Sequence, residues 1–223
     1  VGLYGAGYKI GGLISILVIA FNLNWQPYYL KNYTSPLFKQ SIKKISRVFS
    51  VFLLCFSTLI SIGWQTILQI SFFGYYLIGK DFWLGGIVIP WVAFGYFFYG
   101  LFILQMPSIY LCNKQAWSPV FWGLGAFTNI ILNILFIPKF GIVGAGIATF
   151  ISYLLMFLFI LYKNQTWFPL NFINRSIVLY LIYSIIIILL YYLFFNKTLF
   201  LILLGLYVYA GYNIIINTAL RKK

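Results

Sequence analysis

Asn22 and Gln26 are amides one helical turn apart, and they fall on a line with Tyr8, Gly12 and Ser15, the successive spacings being 4, 3, 7 and 4. Lys9 stands beside the first residue of that line. Thr58, Ser61, Gln65 and Gln69 repeat by 3, 4 and 4, and Ala126, Asn129 and Asn133 by 3 and 4. Such spacings put each set on one face of a helix. Amides and hydroxyls donate and accept hydrogen bonds but do not transfer protons at neutral pH. General acid–base work, an activated nucleophile or a hard-metal site requires carboxylates or imidazoles. The chain holds one acid, Asp81, and no histidine. No catalytic residue, no metal site and no cofactor are therefore expected, and no carboxylate proton relay. Cys55 and Cys112 are 57 residues apart and read as apolar fillers rather than a disulfide framework.

The elements that carry these residues follow from composition. Of 223 residues 63% are hydrophobic and only 7% charged, against about 25% charged in a soluble domain. With a mean hydropathy of +0.99, this chain cannot cover a surface facing water. The sequence predicts an all-α, polytopic membrane helix bundle of about seven transmembrane helices, since a span needs roughly 20 apolar residues. The spans are expected near Tyr8–Leu30, Val48–Phe72, Gly86–Leu111, Trp117–Ile137, Ile142–Leu161, Ser176–Phe195 and Leu199–Leu220. Alternating strands of barrel length are not found. The chain starts at Val1, and no basic region precedes a short apolar core. No signal peptide is expected, and the missing Met points to a fragment or a processed product.

Seven spans sort the basic residues unevenly. Lys31, Lys39, Lys43, Lys44, Arg47, Lys114, Lys163, Arg175, Arg221, Lys222 and Lys223 fall on one side, and Lys80, Lys139 and Lys197 on the other. Lysine and arginine accumulate on the cytoplasmic side, so the C-terminus is expected in the cytoplasm and Val1 outside. The run from Lys31 to Arg47 reads as a loop against anionic lipid headgroups, which explains its charges without a nucleic-acid partner. The segment Phe72–Gly86 is aromatic and glycine-rich, as in an interfacial belt that can hold a short helix. Asn164–Thr166 matches the glycosylation pattern, but in a loop on the cytoplasmic side.

Polar groups in a spanning helix face protein or a hydrated cavity, because lipid offers them no partner. The stripes therefore mean either a polar core of interhelical hydrogen bonds or a cavity. Lys9 can either snorkel to the interface or face a substrate. On the fifth span Gly141, Ala145 and Thr149, and beside them Gly144, Ala148 and Ser152, recur every four residues. These two rows form a flat face on which another helix backbone can approach closely. Pro138 is expected to end the fourth span and Gly141 to relieve a tight reversal. Asn129, Asn133, Pro138, Gly141, Gly144, Ala145 and Ala148 are thus read as helix-packing residues.

The stretch NIILNILFIPKFGIVGAGIATFISY (Asn129–Tyr153) resembles a hairpin of bacterial polysaccharide flippases, members of the multidrug/oligosaccharidyl-lipid/polysaccharide (MATE-like) exporter superfamily. VGLYGAGYKIGGLISILVIAFNLNWQPYYL (Val1–Leu30), closing on Pro27, is similar to another helix of that family. Together the two stretches cover about a quarter of the chain. The resemblance implies the C-terminal lobe of a two-lobe transporter, starting at the eighth of fourteen helices. Residues 1–163 would be the first five helices of that lobe and 164–223 two additional ones. It implies that lipid-linked oligosaccharide, such as an O-antigen precursor for lipopolysaccharide, crosses the bacterial inner membrane by alternating access. The partners would be that substrate, membrane lipids and an N-terminal lobe. Amides and tyrosines suit sugar hydroxyls, and a basic group suits diphosphate. Lys9, Tyr4, Tyr8, Asn22, Gln26, Gln65 and Gln69 are accordingly the substrate-cavity candidates. With Asp81 in a loop, the chain departs from the carboxylate-coupled drug exporters of the superfamily. A lipid II flippase, a membrane scaffold and a glycan-assembly enzyme subunit are the alternatives.

Overall fold

Backbone N–H and C=O groups inside hydrocarbon must bond to one another, and a helix does this within one segment. The computed structural model describes residues 2–72, 75–76, 78–194 and 197–220, and the chain there is almost wholly helical. The helices are α1 (Gly2–Gly11), α2 (Leu13–Asn32), α3 (Phe38–Leu68), α4 (Ile89–Leu104), α5 (Pro107–Leu111), α6 (Ser118–Trp167), α7 (Arg175–Phe194) and α8 (Lys197–Leu220). Among the described residues, five stretches are long and apolar enough to cross a membrane, and α1 with α2 makes a sixth as one span bent by 44°. Because α6 reverses at Gly141, its two arms count separately and the total is seven. The protein is a multi-pass membrane protein built as a helical bundle.

At the centre stands α4, with twelve of its 16 residues buried. It packs most extensively against α6 and α3 and also touches α1 and α2, while α7 and α8 pack on α3 and on each other. The buried side chains along these contacts, among them Trp25, Leu53, Phe97, Phe102, Phe121 and Tyr207, belong to one continuous cluster.

The α6 hairpin is antiparallel from end to end. Trp117 meets Trp167 with ring centres 5.5 Å apart, and Phe121 meets Phe159 at 5.3 Å. A Cβ on Gly125 would lie 2.8 Å from Met156 Sδ, and one on Gly144 2.4 Å from the Phe136 carbonyl oxygen. The reversal falls at Gly141, with φ +56° and ψ −134°, a conformation glycine takes readily and other residues rarely. Contrary to the sequence expectation, Pro138 does not end the helix. The helix runs through it to Phe140, Pro138 removing one i→i−4 hydrogen bond without reversing the chain.

Two other spans also differ from the sequence reading. The first span begins at Gly2 and bends at Gly12. The third is composite: a 3₁₀ segment, Lys80–Val88, leads into α4, and a break at Gln105–Met106 leads into α5. Before it, Ser71–Phe72 and Tyr75–Tyr76 form a two-residue antiparallel ladder, β1 with β2. Phe195 and the basic tail Arg221–Lys223 lie outside the described residues.

Charge and aromatics mark two ends. At one, Lys163 Nζ lies 4.3 Å from the Trp117 ring centre and Lys39 Nζ 5.4 Å from that of Phe168. At the other, Lys80 Nζ lies 5.0 Å from the ring centre of Tyr76. The ends are called here the basic end and the Asp81 end.

Candidate functional site

Tyr4 and Tyr8 sit one turn apart on α1. The Tyr8 hydroxyl hydrogen-bonds that of Tyr96 on α4, and the Tyr4 hydroxyl lies 3.5 Å from Thr149 Oγ1 on the second arm of α6. Tyr153, one turn beyond Thr149, closes the group, its ring centre 5.4 Å from that of Tyr96 and 5.2 Å from that of Tyr99. The aromatic set continues to Trp122 on the first arm, 5.9 Å from Tyr99. Thr149 and Ser152 satisfy their hydroxyl protons on the carbonyls of Ala145 and Ala148, at 3.1 and 2.6 Å. Their oxygens remain able to accept.

Beside this cluster, between α1 and the two arms of α6, lies a cavity of about 270 Å³ lined by Tyr8, Asn129, Thr149, Ser152, Tyr153 and Met156, among others. Asn129 and Tyr153 each stand twelve residues from Gly141, which at 1.5 Å per residue is about 18 Å of helix. With the hairpin tip at the membrane boundary, that depth would be near the middle of a hydrocarbon layer about 30 Å thick. The lining offers hydroxyls, one amide and aromatic faces, without a charge. It suits a neutral polyhydroxylated group, held by hydrogen bonds and by stacking on the rings.

The structure distributes the sequence candidates over four places. Tyr4 and Tyr8 belong to the cluster just described. Lys9 is exposed and is not among the cavity's lining residues. Asn22 and Gln26 are half-buried, and with Leu23, Pro27 and Leu30 they border a separate hollow of about 390 Å³. Gln65 and Gln69 are exposed near the far end of α3, so the α3 stripe does not join the α1 stripe around one cavity. The upper part of that stripe is taken up by helix packing. Thr58 Oγ1 lies 3.0 Å from the hydroxyl of Tyr207 on α8, which Ser184 of α7 meets at 2.8 Å. Trp64 Nε1 donates to the hydroxyl of Tyr192, which donates in turn to the Ser61 carbonyl at 3.0 Å.

Among the expected packing residues, Ala148 and Gly144 are buried and Ala145 half-buried between helices, while Pro138 and Gly141 sit exposed at the hairpin tip. Asn133 Nδ2 donates to Asn129 Oδ1 at 2.9 Å, a bond within one helix rather than across two. Asn129 also lines the cavity. Sequence reasoning missed Tyr96, Tyr99 and Tyr153. A tyrosine in a lipid-embedded helix has a hydroxyl to satisfy, and Tyr153 stands at the helical spacing from Thr149. Asn164 is 2% exposed. Its Nδ2 donates to Gln105 Oε1 at 2.7 Å and to the Gln105 carbonyl at 3.1 Å, and its Oδ1 accepts from Ser108. An asparagine so enclosed in the bundle is a latch between α5 and α6, not a glycan acceptor.

The chain is similar to an uncharacterized membrane protein of Methanocaldococcus jannaschii, with 39% identity over 62 residues. The match covers 28% of this chain and 12% of that protein's length. No protein-family model matches the chain. No solved structure matches it either.

Proposed function

We propose that this bundle is one lobe of a membrane transporter that carries a lipid-linked oligosaccharide across a bacterial inner membrane, by alternating access against a second lobe. The observation that carries the reading is the neutral cavity of hydroxyls, an amide and aromatic rings between α1 and both arms of α6. Its volume of about 270 Å³ is below the roughly 300 Å³ at which ligand pockets usually start, so it would hold a small part of a glycan. The remainder would lie outside this cavity, between the lobes. The basic end faces the cytoplasm in this reading, as the bias of lysine and arginine requires. No chemical step is assigned to the chain.

One observation favours a second reading, a scaffold without transport: Thr58, Ser61, Ser184, Tyr192 and Tyr207 use their hydrogen bonds to join α3, α7 and α8. Complementation of a flippase-deficient strain separates the two. The transporter reading expects restored surface glycan and loss of the trapped lipid-linked precursor. A correctly inserted, abundant protein that leaves the precursor trapped would overturn it.

A further inference from the structure

A cleft of about 480 Å³ lies between α7, α4 and the second arm of α6. Along α7 its lining runs from Leu181 to Tyr192. A step of eleven residues is about 16 Å of helix, or half of a hydrocarbon layer about 30 Å thick. α7 leaves the basic end and α4 leaves the Asp81 end, so the two are antiparallel along the cleft. α4 lines it from Pro90, in its first turn, to Phe98. The cleft therefore starts at the Asp81 end and stops near the middle of the bundle.

Among the described lining residues three carry a hydrogen-bonding side-chain atom, Trp64, Trp91 and Tyr192, and all three stand toward the Asp81 end. Such side chains favour the boundary of a membrane, one part apolar and the other wet. Trp64 and Tyr192 are moreover joined to each other and to the Ser61 carbonyl. The deeper lining, with Phe98, Phe150 and Leu181, is hydrocarbon alone. Water there would find no partner, and an empty cleft would forfeit dispersion contacts. Ile185 and Leu189 of the lining are exposed, as are Ile182 and Ile186 beside them, so the cleft is continuous with the lipid-facing surface of α7. We propose that it holds one acyl chain of a phospholipid from the leaflet at the Asp81 end. Its length is that of one leaflet. Its volume over that length leaves a channel about 6 Å across, too narrow for a helix of about 10 Å. A single hydrocarbon chain fits, since carbon atoms pack at about 4 Å from their neighbours. The lining side chains bear no charge, so the headgroup stays outside and is not selected.

The proposal is independent of transport, and so is its test. The full chain is purified in detergent and supplied with phosphatidylglycerol or phosphatidylcholine, and lipid retention is read by native mass spectrometry. One phospholipid should be retained per chain, with little difference between the two headgroups. Ile185→Trp plugs the cleft and should lower retention about tenfold, the worth of two displaced methylene groups. Ile186→Trp adds the same ring at the neighbouring exposed position, outside the lining, and should change nothing. Leu189→Trp plugs the cleft one turn away and should reproduce the loss even where Ile185→Trp fails to fold. Equal retention by the plugged variants and Ile186→Trp would overturn the proposal. So would retention of a polyprenyl phosphate in place of phospholipid, or a dimer that the plugged variants dissociate.

Discussion

A tyrosine hydroxyl in the hydrocarbon layer has no water to bond with, so its partner decides both where its helix sits and how stable it is there. Tyr8 and Tyr96 join α1 to α4 through one such bond. Replacing either by Phe keeps the ring and removes only the hydroxyl. Each single substitution should destabilise the detergent-solubilised protein by about 1 kcal/mol. The double variant should cost less than the sum, with a coupling of about 0.6 kcal/mol, as for other hydrogen bonds between membrane helices. Strict additivity in denaturant unfolding would show that the two hydroxyls do not interact. If the cavity beside them takes sugar, Tyr8→Phe should also lower surface glycan without lowering abundance. Part of this site was legible in the sequence, because Tyr4 and Tyr8 share a face at helical spacing. Tyr96, Tyr99 and Tyr153 were not, because a chain with 19 tyrosines and 24 phenylalanines hides a hydroxyl cluster among ordinary apolar packing. The α3 stripe shows the other limit. A period reveals that Thr58 and Ser61 share a face, but not that α7 and α8, more than a hundred residues later, supply what they meet.

At the scale of elements, glycine sets the closest approach. A Cβ on Gly7 would lie 2.0 Å from the Gly85 carbonyl oxygen, and one on Gly85 would lie 2.0 Å from that of Leu3. Two backbones are therefore in contact where α1 crosses the 3₁₀ segment ahead of α4, and the obstacle is a main chain that cannot swing aside as a side chain would. Gly7→Ala should cost about 1–3 kcal/mol or shift α1, as overpacking does. Gly5 lies in the same helix with nothing within 4 Å of its notional Cβ. Gly5→Ala should therefore be neutral, or stabilising by up to about 1 kcal/mol through helix propensity. Equal thermal stability of the two variants would refute the close contact. The sequence disclosed the small rows of α6 because they repeat every four residues beside an obvious turn. It concealed the Gly7–Gly85 contact because single glycines far apart in sequence carry no period. The α6 hairpin itself was legible, but its break came three residues later than the proline suggested. Proline removes one backbone bond without forcing a reversal, whereas a backbone at φ +56° favours glycine strongly.

For the whole molecule, the decisive asymmetry is electrical. Helix packing is nearly indifferent to which way the bundle is inserted, since lipid is equally apolar from either side. Charge is not indifferent, because basic loops resist translocation and stay in the cytoplasm. The structure gathers Lys39, Arg47 and Lys114 around the segment from Trp167 to Phe172, with Lys163 over Trp117, which packs on Trp167, whereas Lys80 and Asp81 stand at the far end on the 3₁₀ segment. Lys31, beyond the Pro27 region of α2, and Lys80 are both exposed, so each can report the side it occupies. With Cys55 and Cys112 replaced by Ala and Ser, Lys80→Cys should react with a membrane-impermeant maleimide in intact bacterial cells stripped of their outer membrane. Lys31→Cys should react only after the inner membrane is opened. The reverse pattern would place the basic end outside and overturn the proposed orientation of the bundle. Labelling of both positions in intact spheroplasts would mean that the bundle inserts in two orientations, which an asymmetry of eleven basic residues against three does not allow.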